Sequence, residues 1–168
     1  DGLVHTAAML GSLGPLEHQS FDRWEQVLRV NLAVPMLLTR VLLPLLTNAP
    51  DAAIVFTLDT RAQDPRAYWG AYGASKAGLA ALAATLADET EQRANLRVNA
   101  VSPGPFVSEM VAGAARHDPG FLDQIAQLTL VKRVADPAEI VGALVYLASD
   151  ASSFVTGDDI AVAGGMAK

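Results

Sequence analysis

Short apolar runs alternate along this chain with longer stretches in which apolar positions recur at a helical period. Leu3-Val4-His5-Thr6 reads as the end of a buried strand, and Gly11 to Gln19, with Gly11, Gly14 and Pro15, reads as a loop. Ser20 is placed to cap a helix with Asp22 in its first turn, and Phe21, Trp24, Val27, Leu28, Val30, Leu32 and Val34 form one broad apolar face. That helix is expected to continue, kinked, past Pro35 to about Leu46. Ala52 to Leu58 has the length and β-branched content of a buried strand, and the turn-rich run Asp59 to Pro65 closes it. Tyr72 to about Arg93 is an alanine-rich helix, and Leu96 to Val101 is the next strand, ended by Pro103-Gly104. Asp136-Pro137-Ala138-Glu139 carries a capping aspartate, proline at the first helical position and a glutamate three residues after the cap, so a helix should open there and run to about Ser149. Asp158 to Ala163 is a last strand before Gly164-Gly165.

Strands that are apolar almost throughout, alternating with helices, predict an α/β fold: a doubly wound parallel sheet covered by helices on both faces. Such a sheet carries its nucleotide-phosphate grip in a first βαβαβ half with a glycine-rich fingerprint, and no G-x-x-x-G-x-G or G-x-G-x-x-G occurs here. That N-terminal half is therefore expected to be absent from this chain, which starts at Asp1 rather than Met and reads as a fragment or a processed product. Residues 1–168 are expected to form a single, partial domain.

Composition narrows the partners. A chain of 168 residues with 51% apolar residues and no cysteine can close one core without disulfides, and Cys-based zinc sites or a Cys nucleophile are excluded; no metal site is expected. The balance of 12 Lys+Arg against 18 Asp+Glu, net −6, argues against nucleic acid, whose binders carry a basic stripe. The most apolar stretch, Val30 to Pro50, is interrupted by Pro35, Arg40 and Pro44, short of the roughly 20 continuous apolar residues of a membrane span. No membrane partner and a cytoplasmic location are expected.

Three features could carry chemistry. Tyr72 and Lys76 stand at i and i+4 on one helix face, where an ammonium favours phenolate and makes the phenol a workable proton donor and acceptor near neutrality. A half-buried tyrosine beside an unrelated surface lysine would show the same spacing. Asn31 precedes Pro35 by four residues inside a helix; proline has no N–H and its ring clashes with that carbonyl, so the Asn31 carbonyl is released to bind a water or another group. A hydrated proline kink is the plainer reading. Pro103-Gly104-Pro105 ends a strand on the side where open α/β sheets bind ligands, and a glycine there permits close backbone approach.

Together these segments resemble the C-terminal two-thirds of a classical short-chain dehydrogenase/reductase, a family with a Rossmann-type fold. His5-Thr6-Ala7-Ala8 falls where the family has its Asn-Asn-Ala-Gly turn, Asn31 in VLRVNLAVPMLLT is similar to its helix asparagine, and Tyr72 and Lys76 form its YxxxK. Arg97 to Gly104 resembles its RVNxxxPG strand end, and Asp136 through Gly165 its closing helix and strand. The phrases VFT and WGAY are similar to the bacterial YciK-like oxidoreductases. The resemblance implies an enzyme interconverting a secondary alcohol and a ketone with NAD or NADP. Tyr72 would be the acid/base and Lys76 would support it and bind the nucleotide ribose. The main-chain carbonyl of Asn31 would hold a relay water. Thr6, Ala7, Ala8, Pro103, Gly104, Phe106 and Ser108 would contact the cofactor, with Ser108 at the place of the family's threonine after PG. Residues 107–133, with Met110, Val111, Phe121, Ile125 and Leu128, would form a substrate lid whose apolar character favours a small, uncharged substrate.

Two departures stand against this. The family's catalytic serine, thirteen residues before the tyrosine, is Asp59 here; a hydroxyl donates to the substrate oxygen, whereas an ionised carboxylate only accepts and opposes the phenolate. Either Asp59 stays protonated and donates, or Thr60 supplies its hydroxyl through a local bulge. Thr6 and Ala8 also replace an Asn and a Gly. The alternative function is therefore a non-catalytic nucleotide-binding or assembly subunit on the same scaffold, or a truncated product with no function of its own. His5 reads as a satisfied strand-end histidine, and His18 and His117 as surface residues. The alanine face Ala77, Ala80, Ala81, Ala84 and Ala87, with the apolar segment Leu37 to Leu46, predicts a homodimer or homotetramer contact through the two long helices.

Overall fold

A computed structural model describes residues 1–62, 64–109, 111–112, 118 and 120–166; Met110 and His117 lie outside the described residues. Four parallel strands form one sheet in the order β1 (Gly2–His5), β2 (Ala52–Thr57), β3 (Leu96–Pro103), β4 (Asp159–Val162). Ala52 through Phe56 of β2 are buried on both faces, as expected of a central strand in a parallel sheet. The register pairs His5 with Phe56, Thr57 with Val101 and Pro103 with Val162, so all four strands deliver their C-terminal ends to one edge.

The pleat splits the apolar residues between two layers. Ile54, Phe56, Val98 and Ala100 face Leu46 of helix α2 (Val34–Asn48) and Leu79, Ala83 and Leu86 of α3 (Gly70–Glu89). Val55 and Val101 face Leu147 of α5 (Val141–Ala148), with Ile160 and Val162 beside them. Two further α-helices are α1 (Phe21–Leu28) and α4 (Phe121–Gln127).

Around Pro35 the helix does not break. One turn of π-helix, Arg29–Ala33, joins α1 to α2, and the Val34 N–H reaches back five residues to the Arg29 carbonyl. Proline at 35 cannot donate to Asn31, and the wider turn absorbs the missing bond. Ser20 stands at the cap position of α1 without a side-chain bond. Asp136 and Glu139 make the expected capping box, opening a 3-10 turn, Pro137–Ile140, that leads into α5.

The proposed interruption of the apolar stretch needs correction. Phe21–Asn48 is a continuous helical segment of 28 residues, and its most apolar 18-residue window has mean hydropathy 1.7, long and apolar enough to cross a membrane, with 22% of that window buried. Pro35, Arg40 and Pro44 are accommodated within it. In this fold its inner side, Val27, Asn31, Pro35, Thr39 and Leu46, is buried against the rest of the molecule.

Candidate active site

Tyr72 and Lys76 are carried on the first turns of α3 and are 4% and 2% exposed. Helix geometry puts both side chains on the face that meets the end of β2. The Tyr72 hydroxyl donates to Asp59 Oδ2 at 2.8 Å, and Lys76 Nζ donates to the Thr57 carbonyl at 2.8 Å while lying 5.8 Å from the Tyr72 ring centroid, within cation–π range. Burial pulls the Lys76 ammonium down to about 8, and the charge of Asp59 opposes that fall.

Asp59 thus occupies the place expected for a serine. β2 pairs with both neighbours without interruption and the Leu58 N–H still reaches the Val101 carbonyl, so there is no bulge to shift Thr60 into that place. Thr60 instead opens a 3-10 turn, Thr60–Ala62, and points its hydroxyl at Asp59 Oδ1, 3.3 Å away. Asp59 accepts a hydrogen bond from each of these two hydroxyls.

Asn31 is fully buried in the π-turn, and its side chain clamps three elements. Its Oδ1 accepts the Met9 N–H at 2.8 Å; its Nδ2 donates to the Met9 carbonyl and to Ser75 Oγ, each at 2.9 Å. Ser75 Oγ donates in turn to the Tyr72 carbonyl at 2.7 Å. A chain of hydrogen bonds therefore runs from the loop after β1 to the turn of α3 that carries Tyr72. Sequence reasoning gave Asn31 a main-chain role and missed Thr57, Met9 and Ser75. Only Ser75 left a signal, three residues after Tyr72 on the same helix face.

The other expected contacts ring this floor at the strand-end edge. Thr6, Ala7 and Ala8 are exposed directly after β1, and Pro103 at the end of β3 is half-buried, as are Gly104 and Phe106 after it. Gly104 meets protein: a Cβ there would stand 2.7 Å from the Ala163 Cα, so its smallness serves the approach of the chain after β4. Phe106 bridges Ala135 in parallel fashion through the Pro105 carbonyl and the Val107 N–H, which turns its own N–H and C=O to the opposite side. Ser108 Oγ accepts the Val111 N–H at 3.3 Å. None of these residues bonds Tyr72 directly among the described contacts.

The two described histidines, His5 and His18, stand apart from this floor. His5 Nε2 lies 2.9 Å from Thr39 Oγ1, its ring stacks on Phe56, and burial lowers its pKa, a satisfied structural histidine. His18 is at the surface beside Glu17. Next to the site, Tyr68 holds φ 75°, a strained setting for a bulky residue, braced by the Gly14 N–H on its carbonyl at 3.1 Å. Trp69 packs its edge against Tyr72 at 5.7 Å.

A family model described as enoyl-(acyl carrier protein) reductase matches residues 1–167. The chain is 35% identical over 158 residues to the uncharacterized oxidoreductase YciK of Escherichia coli K12, aligning 94% of this chain with 57% of that protein. A gluconate 5-dehydrogenase from Burkholderia cenocepacia, solved in complex with NADP and tartrate, superposes with a TM-score of 0.91 at 26% identity, over 99% of this chain and 64% of that one. A 3-oxoacyl-[acyl-carrier protein] reductase from Brucella melitensis gives 0.88 at 30% identity, over 100% and 63%. The chain spans less than two thirds of the length of these relatives.

Proposed function

The chain belongs to the short-chain dehydrogenase/reductase family, and from that premise we propose that it interconverts a secondary alcohol and a ketone with NAD or NADP. The observation that carries this reading is the buried Tyr72 hydroxyl at the C-terminal edge of the sheet, with the Lys76 ammonium one helical turn away. The nicotinamide nucleotide, when bound, supplies or accepts the hydride. The edge suits it: Thr6, Ala7 and Ala8 are exposed, and Phe106 turns its amide away from Ala135. Those residues, the main chain from Pro103, Ser108 and Lys76 are the ones that would hold it. NADP is present in the gluconate 5-dehydrogenase structure, which supports the same cofactor class here.

Tyr72 handles the proton of the reacting oxygen. In oxidation its phenolate form, which Lys76 favours, takes the alcohol proton; in reduction its hydroxyl gives that proton to the carbonyl oxygen. Lys76 keeps a positive charge beneath the phenol, and the Asn31–Ser75 chain holds the Tyr72 turn in place. Of the residues expected to form the substrate lid, the described Val111, Phe121 and Ile125 are half-buried and would meet the carbon skeleton of a small molecule. The exposed stripe of Val34, Leu37, Val41 and Leu45 on α2, beside exposed Ala77, Ala81 and Ala84 on α3, supports a homodimer or homotetramer through these helices. Light scattering at tens of micromolar should find an oligomer, and a monomer would remove that assignment.

Tyr72→Phe in the full-length protein tests the reading. Turnover of a panel of secondary alcohols with NAD and NADP should fall by roughly 100- to 10,000-fold with an unchanged circular dichroism spectrum. Unchanged turnover would take Tyr72 out of the mechanism.

A further inference from the structure

We propose that Asp59 makes this a site for amino alcohols and amino ketones, whose ammonium, on the carbon next to the reacting one, is held by the Asp59 carboxylate. The inference rests on the hydride-transfer reading above and names the substrate class of that same site.

A ketone or alkoxide oxygen needs a donor, and Asp59 already accepts the Tyr72 hydroxyl at 2.8 Å and the Thr60 hydroxyl at 3.3 Å. With a neutral substrate the negative charge beside the developing alkoxide works against the chemistry, and it offsets the Lys76 ammonium, on which Asp59 acts directly. A second cation brought by the substrate removes both objections: it pairs with Asp59 and restores a net positive field at the reacting oxygen.

Distance then selects where that cation sits. The reacting oxygen must lie within hydrogen-bond reach of the Tyr72 hydroxyl, so it and Asp59 Oδ2 are both about 2.8 Å from one atom and about 4.5 Å from each other. A nitrogen on the adjacent carbon is about 3 Å from that oxygen and spans the gap to the carboxylate with one hydrogen bond of ordinary length. The uncharged substrate expected from the lid is thereby revised at its reacting end: an apolar skeleton towards Phe121 and Ile125, and one positive charge at Asp59.

The isosteric pair 1-amino-2-propanol and 2-butanol separates charge from shape. With full-length protein near neutral pH, where the amine is protonated, wild type should show a kcat/KM for the amino alcohol at least about tenfold above that for 2-butanol. Asp59→Asn, of the same shape, and Asp59→Ser should each bring the ratio to about one or below. Calorimetric titration should show weaker binding of the amino alcohol alone in Asp59→Asn. A wild-type ratio near one, a preference that survives Asp59→Asn, or turnover of other secondary alcohols without 1-amino-2-propanol overturns the inference while leaving hydride transfer standing. Absence of turnover across the whole alcohol panel in wild type and both variants overturns the hydride-transfer reading, and the inference with it.

Discussion

The floor of the site and the described residues that follow Gly104 are held differently. In the floor, side chains do the holding: Asn31, Ser75, Tyr72 and Lys76 are buried, and each spends its polar atoms on a partner in another element or on the backbone. Beyond Gly104, among the described residues, backbone bridges work alongside side-chain bonds of Thr129 and of the Arg133–Glu139 pair. Phe106 bridges Ala135, and Leu130 donates its N–H to the Gly164 carbonyl at 2.8 Å, while Leu128, Leu130 and Val131 leave large apolar side chains exposed. The proposed proton chemistry would sit where burial locks rotamers, whereas the exposed apolar side chains beyond Gly104 can change without disturbing the core.

The largest effect should come from breaking the floor. Asn31→Ala removes a fully buried side chain together with its bonds to the Met9 N–H, the Met9 carbonyl and Ser75, so a loss of about 3 to 4 kcal/mol is expected in denaturant unfolding, together with a lower kcat. Leu130→Ala, with 72% of Leu130 already in solvent, should change stability by no more than about 0.5 kcal/mol. Equal losses at the two positions would erase the distinction drawn between the regions.

A smaller effect than that of Asn31→Ala sharpens the same contrast through pH. Lys76 keeps its proton to about 10.5 in the unfolded chain and to about 8 in the fold. Between those values the unfolded state binds more protons, so stability rises with pH across that window; below about 8 both states are protonated and the full cost of burying the charge remains. Relative to Lys76→Met, wild type should gain about 2 to 3 kcal/mol from pH 8 to pH 10.5, read from parallel denaturant melts. A flat difference would mean the amine is not buried as described.

Most of the frame was legible because it is written in local periodicity. The buried run at residues 52–57, the capping box at Asp136 and the proline four residues after Asn31 each act over one helical turn or one strand, and each appears where expected. Ends drifted by a few residues: α3 stops at Glu89 because a turn begins at Thr90, short of the expected Arg93. The apolar stretch was misjudged because prolines were counted as breaks, whereas the π-turn and a position early in α2 let Pro35 stay in the helix.

By itself the sequence determined the α/β order, the shared face of Tyr72 and Lys76 and the presence of a carboxylate thirteen residues before the tyrosine, since periodicity and chain order are local properties. Tertiary structure alone decided that the carboxylate accepts the Tyr72 hydroxyl, that Thr60 serves Asp59, that the Thr57 carbonyl receives Lys76 and that Gly104 makes room for Ala163. Those contacts depend on strand register and on how a helix seats against a sheet, and neither leaves a local mark on the residues that meet.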